Sequence, residues 1–283
     1  MKKTLFAATA AALLLAAGIS AQNQRTPDTT RTNRPMRHPG SSTTLFDIPP
    51  RQLIDMPTAG TLPRGYFNIG LRVYTDGGAL GFTDIGLSNR LQLGLSYGAE
   101  QALSNQTPKW NPDIEFEAKF RIIDEMQYFP AVTLGYSSQG DGEWIVSQQR
   151  YTFKSRGFYA VASRSFYFYR WTSGWHGGVN YSREYKVDDD KNLNFFFGFD
   201  ATFNYNFALL AEYDLALNDD RGTAPPGQAE NVSGKGRGYL NMSVKWLFAE
   251  NLELELLFKD LLVNRRESST VTRGLRLTYI DHF

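Results

Sequence analysis

The sequence predicts an all-β fold, a transmembrane antiparallel up-and-down β-barrel of about twelve strands. Three observations carry that expectation. In residues 113–123 the apolar Ile114, Phe116, Ala118, Phe120 and Ile122 alternate with the charged Glu115, Glu117, Lys119 and Arg121. An extended chain throws successive side chains to opposite faces, so this segment has one oily face and one ionic face. The same alternation recurs down the chain, about a dozen times in all, as a barrel requires. Finally, the N-terminus reads as an export signal and the chain ends in Phe283.

Residues 1–21 are the expected signal peptide. Lys2 and Lys3 precede an apolar run from Leu5 to Ala17, and Ala21 marks the expected cleavage point. A membrane helix needs ~20 apolar residues, and neither this run nor any later one reaches that length. The chain has no cysteine, which excludes a lipid-modified cysteine anchor, disulfides and thiolate metal ligands. Its 30 basic and 29 acidic residues nearly cancel, so no global field would draw in nucleic acid. Residues 22–44 hold almost no large apolar side chain and carry Arg25, Arg31, Arg34 and Arg37 against Asp28. Such a stretch cannot offset its ordering entropy and is expected to be a disordered periplasmic tail, either a spacer or a docking segment for an acidic partner. Residues 45–64 follow as a periplasmic lead-in, and the barrel is expected over 65–283.

The strands are then taken in order. Phe67, Ile69, Leu71 and Val73 share one face, Asn68, Gly70, Arg72 and Tyr74 the other, and residues 75–78 read as a tight hairpin. A less regular strand runs to Leu87, and Ser88, Asn89 and Arg90 turn into Leu91, Leu93, Leu95 and Tyr97. A polar loop over 100–112 precedes the alternating segment, after which Asp124 and Glu125 turn into Pro130, Val132, Leu134 and Tyr136. A loop over 138–150 leads to a strand centred on Tyr159 and Val161, then to Trp175, Gly177, Val179 and Tyr181. Beyond the charged loop 183–191 come Phe195, Phe197, Phe199, Ala201 and Phe203, a turn at 204–206, and Leu209, Ala211, Tyr213, Leu215 and Leu217. The longest loop, 218–238, gives way to Leu240, Met242, Val244, Trp246 and Phe248, then Leu252, Leu254, Leu256 and Phe258. Leu275, Leu277, Tyr279 and Phe283 face one side of the last strand. Short turns alternate with long loops, the first hairpin excepted, and an even strand count returns both termini to the periplasm.

Alternation alone does not tell a lipid-facing barrel from a soluble one with an oily interior. The export signal, the aromatics at strand ends (Tyr97, Tyr136, Tyr181, Trp246, Phe248 and the cluster at 166–171) and the terminal Phe283 with Tyr279 favour lipid outside. Phe283 and Tyr279 resemble the terminal-strand signal read by the outer-membrane assembly machinery. Asp281 breaks that pattern, but it and Arg273 fall near strand ends, where a lipid-facing charge costs only ~0–1 kcal/mol.

Little in the sequence carries chemistry. His38, His176 and His282 are too dispersed for a His-rich metal site, and His176 lies on the polar face, followed by Gly177 and Gly178, with Ser182 as the next serine after it. The inward rows carry Arg72, Glu115, Glu117, Lys119, Arg121, Asp200, Glu212, Asp214, Lys245, Glu253, Glu255, Lys259 and Arg276. Glu253 and Glu255 have the residue types of glycoside hydrolysis, but the simpler expectation is ion pairing that lines or fills the lumen. Asp188, Asp189 and Asp190 are carboxylates of the kind that bind calcium, diluted by Lys186 and Lys191. No cofactor is expected.

Residues 54–65, from Ile54 through Met56, Pro57, Leu62 and Pro63 to Gly65, lead into the first strand. They resemble the entry of YjbH-type outer-membrane proteins, which carry a Thr-Pro-Thr/Ser-Ala-x-x-Leu-Pro-x-Gly run there; Met56 stands where that family often has Thr. The resemblance implies a role near exopolysaccharide export and, as partners, export components. Two prolines and two glycines suggest a rigid approach at the barrel rim. The expected protein is non-enzymatic, sits in the bacterial outer membrane in contact with its lipid, and acts as a conduit or accessory for polysaccharide or small solutes. The alternatives are a closed anchoring barrel and an outer-membrane lipid hydrolase.

Overall fold

Alternating side chains become a closed ring of strands in the computed structural model, which describes residues 50–168, 171–203, 206–220, 233–266 and 269–283. The expected signal peptide at 1–21, the tail at 22–44, residues 45–49 of the lead-in, and parts of the cluster at 166–171, the turn at 204–206 and the loop at 218–238 lie outside the described residues. The strands are β1 Tyr66–Tyr74, β2 Gly78–Gly86, β3 Leu91–Glu100, β4 Lys109–Trp110, β5 Glu115–Ile123, β6 Ala131–Ser137, β7 Asp141–Ile145 and β8 Arg150–Phe153. They continue as β9 Gly157–Phe168, β10 Trp171–Tyr181, β11 Asn194–Phe203, β12 Phe207–Asp214, β13 Tyr239–Ala249, β14 Leu252–Lys259 and β15 Thr272–His282.

All the barrel pairings are antiparallel and join neighbours in the chain, in the order β1, β2, β3, β5, β6, β9 to β15. β15 pairs back onto β1, with Leu71 opposite Leu277, which closes a twelve-strand barrel. Closure leaves no unpaired strand edge. β4 only extends β3, and β7 pairs with β8 in a separate hairpin. The tight turn after β1 is possible because Asp76 and Gly77 take left-handed φ values of 63° and 73°.

The apolar face points outward. Ile69, Phe120, Leu134, Phe197, Leu209, Leu256 and Leu275 are exposed, while Lys119, Glu212, Glu255 and Arg276 on the other face are buried. Aromatic rings stack at both rims: Phe168 on Trp171 at 4.2 Å and Phe207 on Trp246 at 5.9 Å by the short turns, Tyr97 on Trp110 at 5.6 Å by the long loops. At the seam Phe283 packs 5.0 Å from Phe67, and its N–H bonds to the carbonyl of Gly65. An outward apolar face with aromatic girdles is the arrangement that lipid solvates.

The interior differs from a simple polar bore. Residues 50–65 run inside the barrel, and Leu53, Ile54, Met56 and Leu62 are wholly buried there. The sequence suggests an approach at the rim; the structure instead makes this stretch a plug. It enters beside the C-terminus and turns back at its tip, where Leu53 N–H bonds to the carbonyl of Met56 and Gln52 bridges to Pro57. Tyr159 and Val161 accordingly face inward, where with Ala131 and Phe196 they meet Met56 and Ala59. Leu53 and Ile54 pack on Ala208, Leu210 and Leu257, and Leu62 on Ile280. The loop at 138–150 is also more ordered than expected, holding β7 and the start of β8, and β12 ends before Leu215 and Leu217.

The orientation of the wall is testable on the neighbouring strands β13 and β14. Leu256→Lys places a charge on the outer face and should destabilise the lipid-embedded barrel by ~2–4 kcal/mol near midplane. Ser243→Thr, on the inner face of β13, keeps the hydroxyl that bonds to Glu255 and should cost clearly less. Urea unfolding in lipid vesicles reads both, and equal effects would contradict the inside-out arrangement.

Candidate functional site: the plugged lumen

A plug that is not a strand has no ladder to satisfy its backbone, so wall side chains must do it. The Glu212 carboxylate of β12 accepts the N–H groups of Ile54, Asp55 and Met56 at 3.0, 3.0 and 2.9 Å, and the Asn241 amide at 2.7 Å. From β15 the Arg276 guanidinium donates to the carbonyls of Leu53 and Ile54 at 2.6 and 3.2 Å. Lys119 bonds to the carbonyl of Arg51. Nearer the C-terminal rim, Gln92 accepts the Leu62 N–H at 2.9 Å and Thr133 donates to the Ala59 carbonyl at 3.0 Å. At Gly86 a Cβ would fall 2.1 Å from the carbonyl oxygen of Pro63, so only glycine admits the plug backbone there.

Which force holds the plug follows from magnitudes. Each fully buried Leu, Ile or Met gains ~1.5–3 kcal/mol, and a hydrogen bond to a charged group such as Glu212 or Arg276 gains a similar ~1.5–3 kcal/mol. Apolar burial and charged hydrogen bonds therefore hold the plug together, and the polar contacts also fix where each residue sits.

At the tip, Asp55 joins the plug to both the wall and the outer hairpin. Its carboxylate pairs with Arg72 of β1 at 2.8 Å and with Lys259 of β14 at 2.6 Å. Asp141, the first residue of β7, pairs with the same two cations. Burial alone would raise the Asp55 carboxyl, but Lys259, Arg72 and Arg156 hold it well below the ordinary carboxylate range. The link after β8 is pinned as firmly. Arg150 pairs with Asp219 at 2.6 Å, Lys154 with Asp188 at 2.5 Å and Arg156 with Asp214 at 2.6 Å. The bore is thus filled from one end by residues 50–65 and from the other by β7 and β8.

The remaining residues read from the sequence fall as follows. Glu115 accepts the Tyr151 hydroxyl at 2.9 Å, and Glu117 that of Tyr159 at 3.3 Å. Arg121 lies at the short-turn rim, 3.0 Å from Asp124. Lys245 pairs with Glu253 at 3.5 Å, and Glu255 with Arg276 and with Ser243, the latter at 2.6 Å. Both carboxylates of the Glu253 and Glu255 pair are therefore engaged by cations. In the charged loop, Asp188 is held by Lys154 and Asp189 by Lys191 at 2.6 Å. Tyr279 is outside, its hydroxyl donating to Asp281 at 2.5 Å.

One cluster is absent from the sequence reading. Ser163 of β9, His176 of β10 and Asp200 of β11 form a chain, with Ser163 Oγ 2.7 Å from His176 Nδ1 and His176 Nε2 2.8 Å from Asp200. Reading onward from His176 the next serine is Ser182, but the register sets His176 opposite Ser163. The trio has the residue types of a hydrolase triad. Here Ser163 Oγ accepts the Ala59 N–H at 2.8 Å and is buried under the plug, so the chain works as a fastening.

No family model matches the chain. No curated protein matches it either. Among solved structures it is similar to the KdgM porin, at 10% identity and a TM-score of 0.46, over 77% of this chain and 99% of that one. It is also similar to the NanC porin, at 8% identity and a TM-score of 0.41 over 77% and 99% of the two chains. The Acinetobacter baumannii outer membrane protein Omp33 compares at 7% identity and a TM-score of 0.43, over 78% and 99%. At such identity and overlap, the likeness leaves function to be argued from the site.

Two measurements probe the clamp. Glu212→Ala strips three buried N–H groups of their acceptor, and the amides of Ile54, Asp55 and Met56 should exchange at least about tenfold faster; unchanged exchange would contradict the clamp. Asp55→Asn should cost less than the ~3–5 kcal/mol of an orphaned buried pair, because Asp141 still faces both cations. A depressed carboxylate stabilises fully above its unfolded value of ~3.9 and progressively less below it. The stability gap between the protein and Asp55→Asn should therefore stay constant from neutral pH to about pH 5 and shrink below about pH 4.

Proposed function

We propose that the chain is a non-enzymatic outer-membrane barrel that serves as a gated conduit for small solutes or as an accessory to polysaccharide passage, with residues 50–65 as its gate. The plug is the observation that carries this reading. It is held by side chains and packing, outside the barrel's own strand ladder, so its withdrawal leaves the twelve-strand ring whole. The wall behind it bears Arg72, Lys119, Glu212, Glu253, Glu255 and Arg276, a surface that water and polar solutes would wet. The outward apolar face and the aromatic rims support a membrane location, and the expected export signal supports the outer membrane with both termini periplasmic. Passage of polysaccharide rests on the resemblance at residues 54–65, which is the plug itself.

A closed anchoring barrel is the second reading, and it is favoured by the filling of the bore from both ends. Planar-bilayer recording separates the two. The full chain should be mostly silent, while a variant lacking residues 50–64 and carrying Asp141→Ala should give steady single-channel currents. Their reversal potential should stay near zero in a salt gradient, because the wall's cations and carboxylates nearly balance. Silence of that variant, with its strand content intact by circular dichroism, would rule out the conduit and leave the anchor.

A further inference from the structure

Above the plug tip, on the long-loop side, lies a cavity of about 110 Å³. One water occupies ~10–15 Å³ by this measure, so the space holds about eight waters or a solute of about that many heavy atoms. Its lining carries charges of both signs. Asp84 of β2 and Glu117 of β5 stand on one wall, flanking β3, whose Gly94 leaves them room. Lys154 and Arg156 come from the link after β8, tied to Asp188 and to Asp214 of β12 across the bore. Arg72, Asp141, Asp55 and Arg276 also line it.

One buried donor of these residues, Arg72 Nε, has no hydrogen-bond partner, and Asp141 Oδ1 has no hydrogen bond beyond a 3.3 Å ion pair with Arg72 Nη1. The Arg72 side chain is 8% exposed. Glu117, on the other wall, accepts the Tyr159 hydroxyl at 3.3 Å. An open buried donor beside a cavity calls for a molecule that offers an acceptor. A lining that carries both carboxylates and cations further favours a molecule with a charge of each sign.

We propose that this cavity binds a small zwitterion of amino-acid size, its carboxylate toward Arg72 and its ammonium toward Asp141 and Glu117. The proposal goes beyond the gated conduit and does not need it, since a barrel that never conducts could still hold a solute there. Bilayer currents judge the gate, and solute titration judges the cavity.

The test is calorimetric titration of the full chain, folded in detergent micelles, with L-serine, and with glycerol, acetate and methylammonium as size-matched or single-charge controls. L-serine should bind saturably and the three controls should not. Ser137→Leu fills the cavity without removing a charged group and should abolish the binding. Arg72→Gln, which removes the charged donor, should weaken it at least about tenfold. No saturable heat with L-serine, or equal binding of glycerol, would show a cavity holding water only and overturn the proposal. Binding of L-serine that survives both substitutions would place it elsewhere and overturn it equally.

Discussion

The need to satisfy a buried backbone that belongs to no sheet governs this molecule. Residues 50–65 cross the interior of a barrel whose own N–H and C=O groups are already committed to strand pairing. Every plug amide taken from water must find a partner, a wall side chain where the plug's own backbone offers none, or the burial costs more than it returns. That requirement gives the inner wall much of its chemistry. Glu212 serves three consecutive N–H groups, Arg276 serves two carbonyls, and Gln92, Thr133, Ser163 and Lys119 serve one plug group each. Charges that would otherwise face water act here as a template for one short stretch of irregular chain.

The same requirement explains the apolar interruptions of the inner rows. Tyr159, Val161, Phe196, Leu210, Leu257 and Ile280 occupy inward positions in strands whose neighbours there are polar. Each meets the plug, directly or within one cluster. Like charges opposite one another are tolerated for a related reason. Arg72 and Arg276 face each other across the β1 and β15 ladder, a repulsive pairing, but each has carboxylates of its own, Asp55 and Asp141 for the first and Glu255 for the second.

The wall was legible in the sequence because its signal is local. A period of two over β5, β11 or β14 marks both faces without knowledge of the partner strand. What lay hidden depends on contacts between distant residues. Ile54 meets Glu212 across 158 positions of the chain, and no window of sequence holds both. The prolines and glycines of residues 54–65 signalled a rigid, ladder-free segment, yet not whether it stood at the rim or inside. The apolar Tyr159 and Val161 on an otherwise polar face were the available clue that something sits in the bore. The Ser163, His176 and Asp200 chain needed the register of three neighbouring strands, which alternation leaves open.

Arg72 and Lys259 each serve two masters, Asp55 from the plug and Asp141 from the β7–β8 hairpin. Linkage makes such sharing reciprocal. If the hairpin lifts and takes Asp141 away, both cations turn wholly to Asp55 and grip the plug harder; if the plug departs, they turn to Asp141 and hold the hairpin. The two segments are thereby biased against leaving together, as the doors of an airlock are.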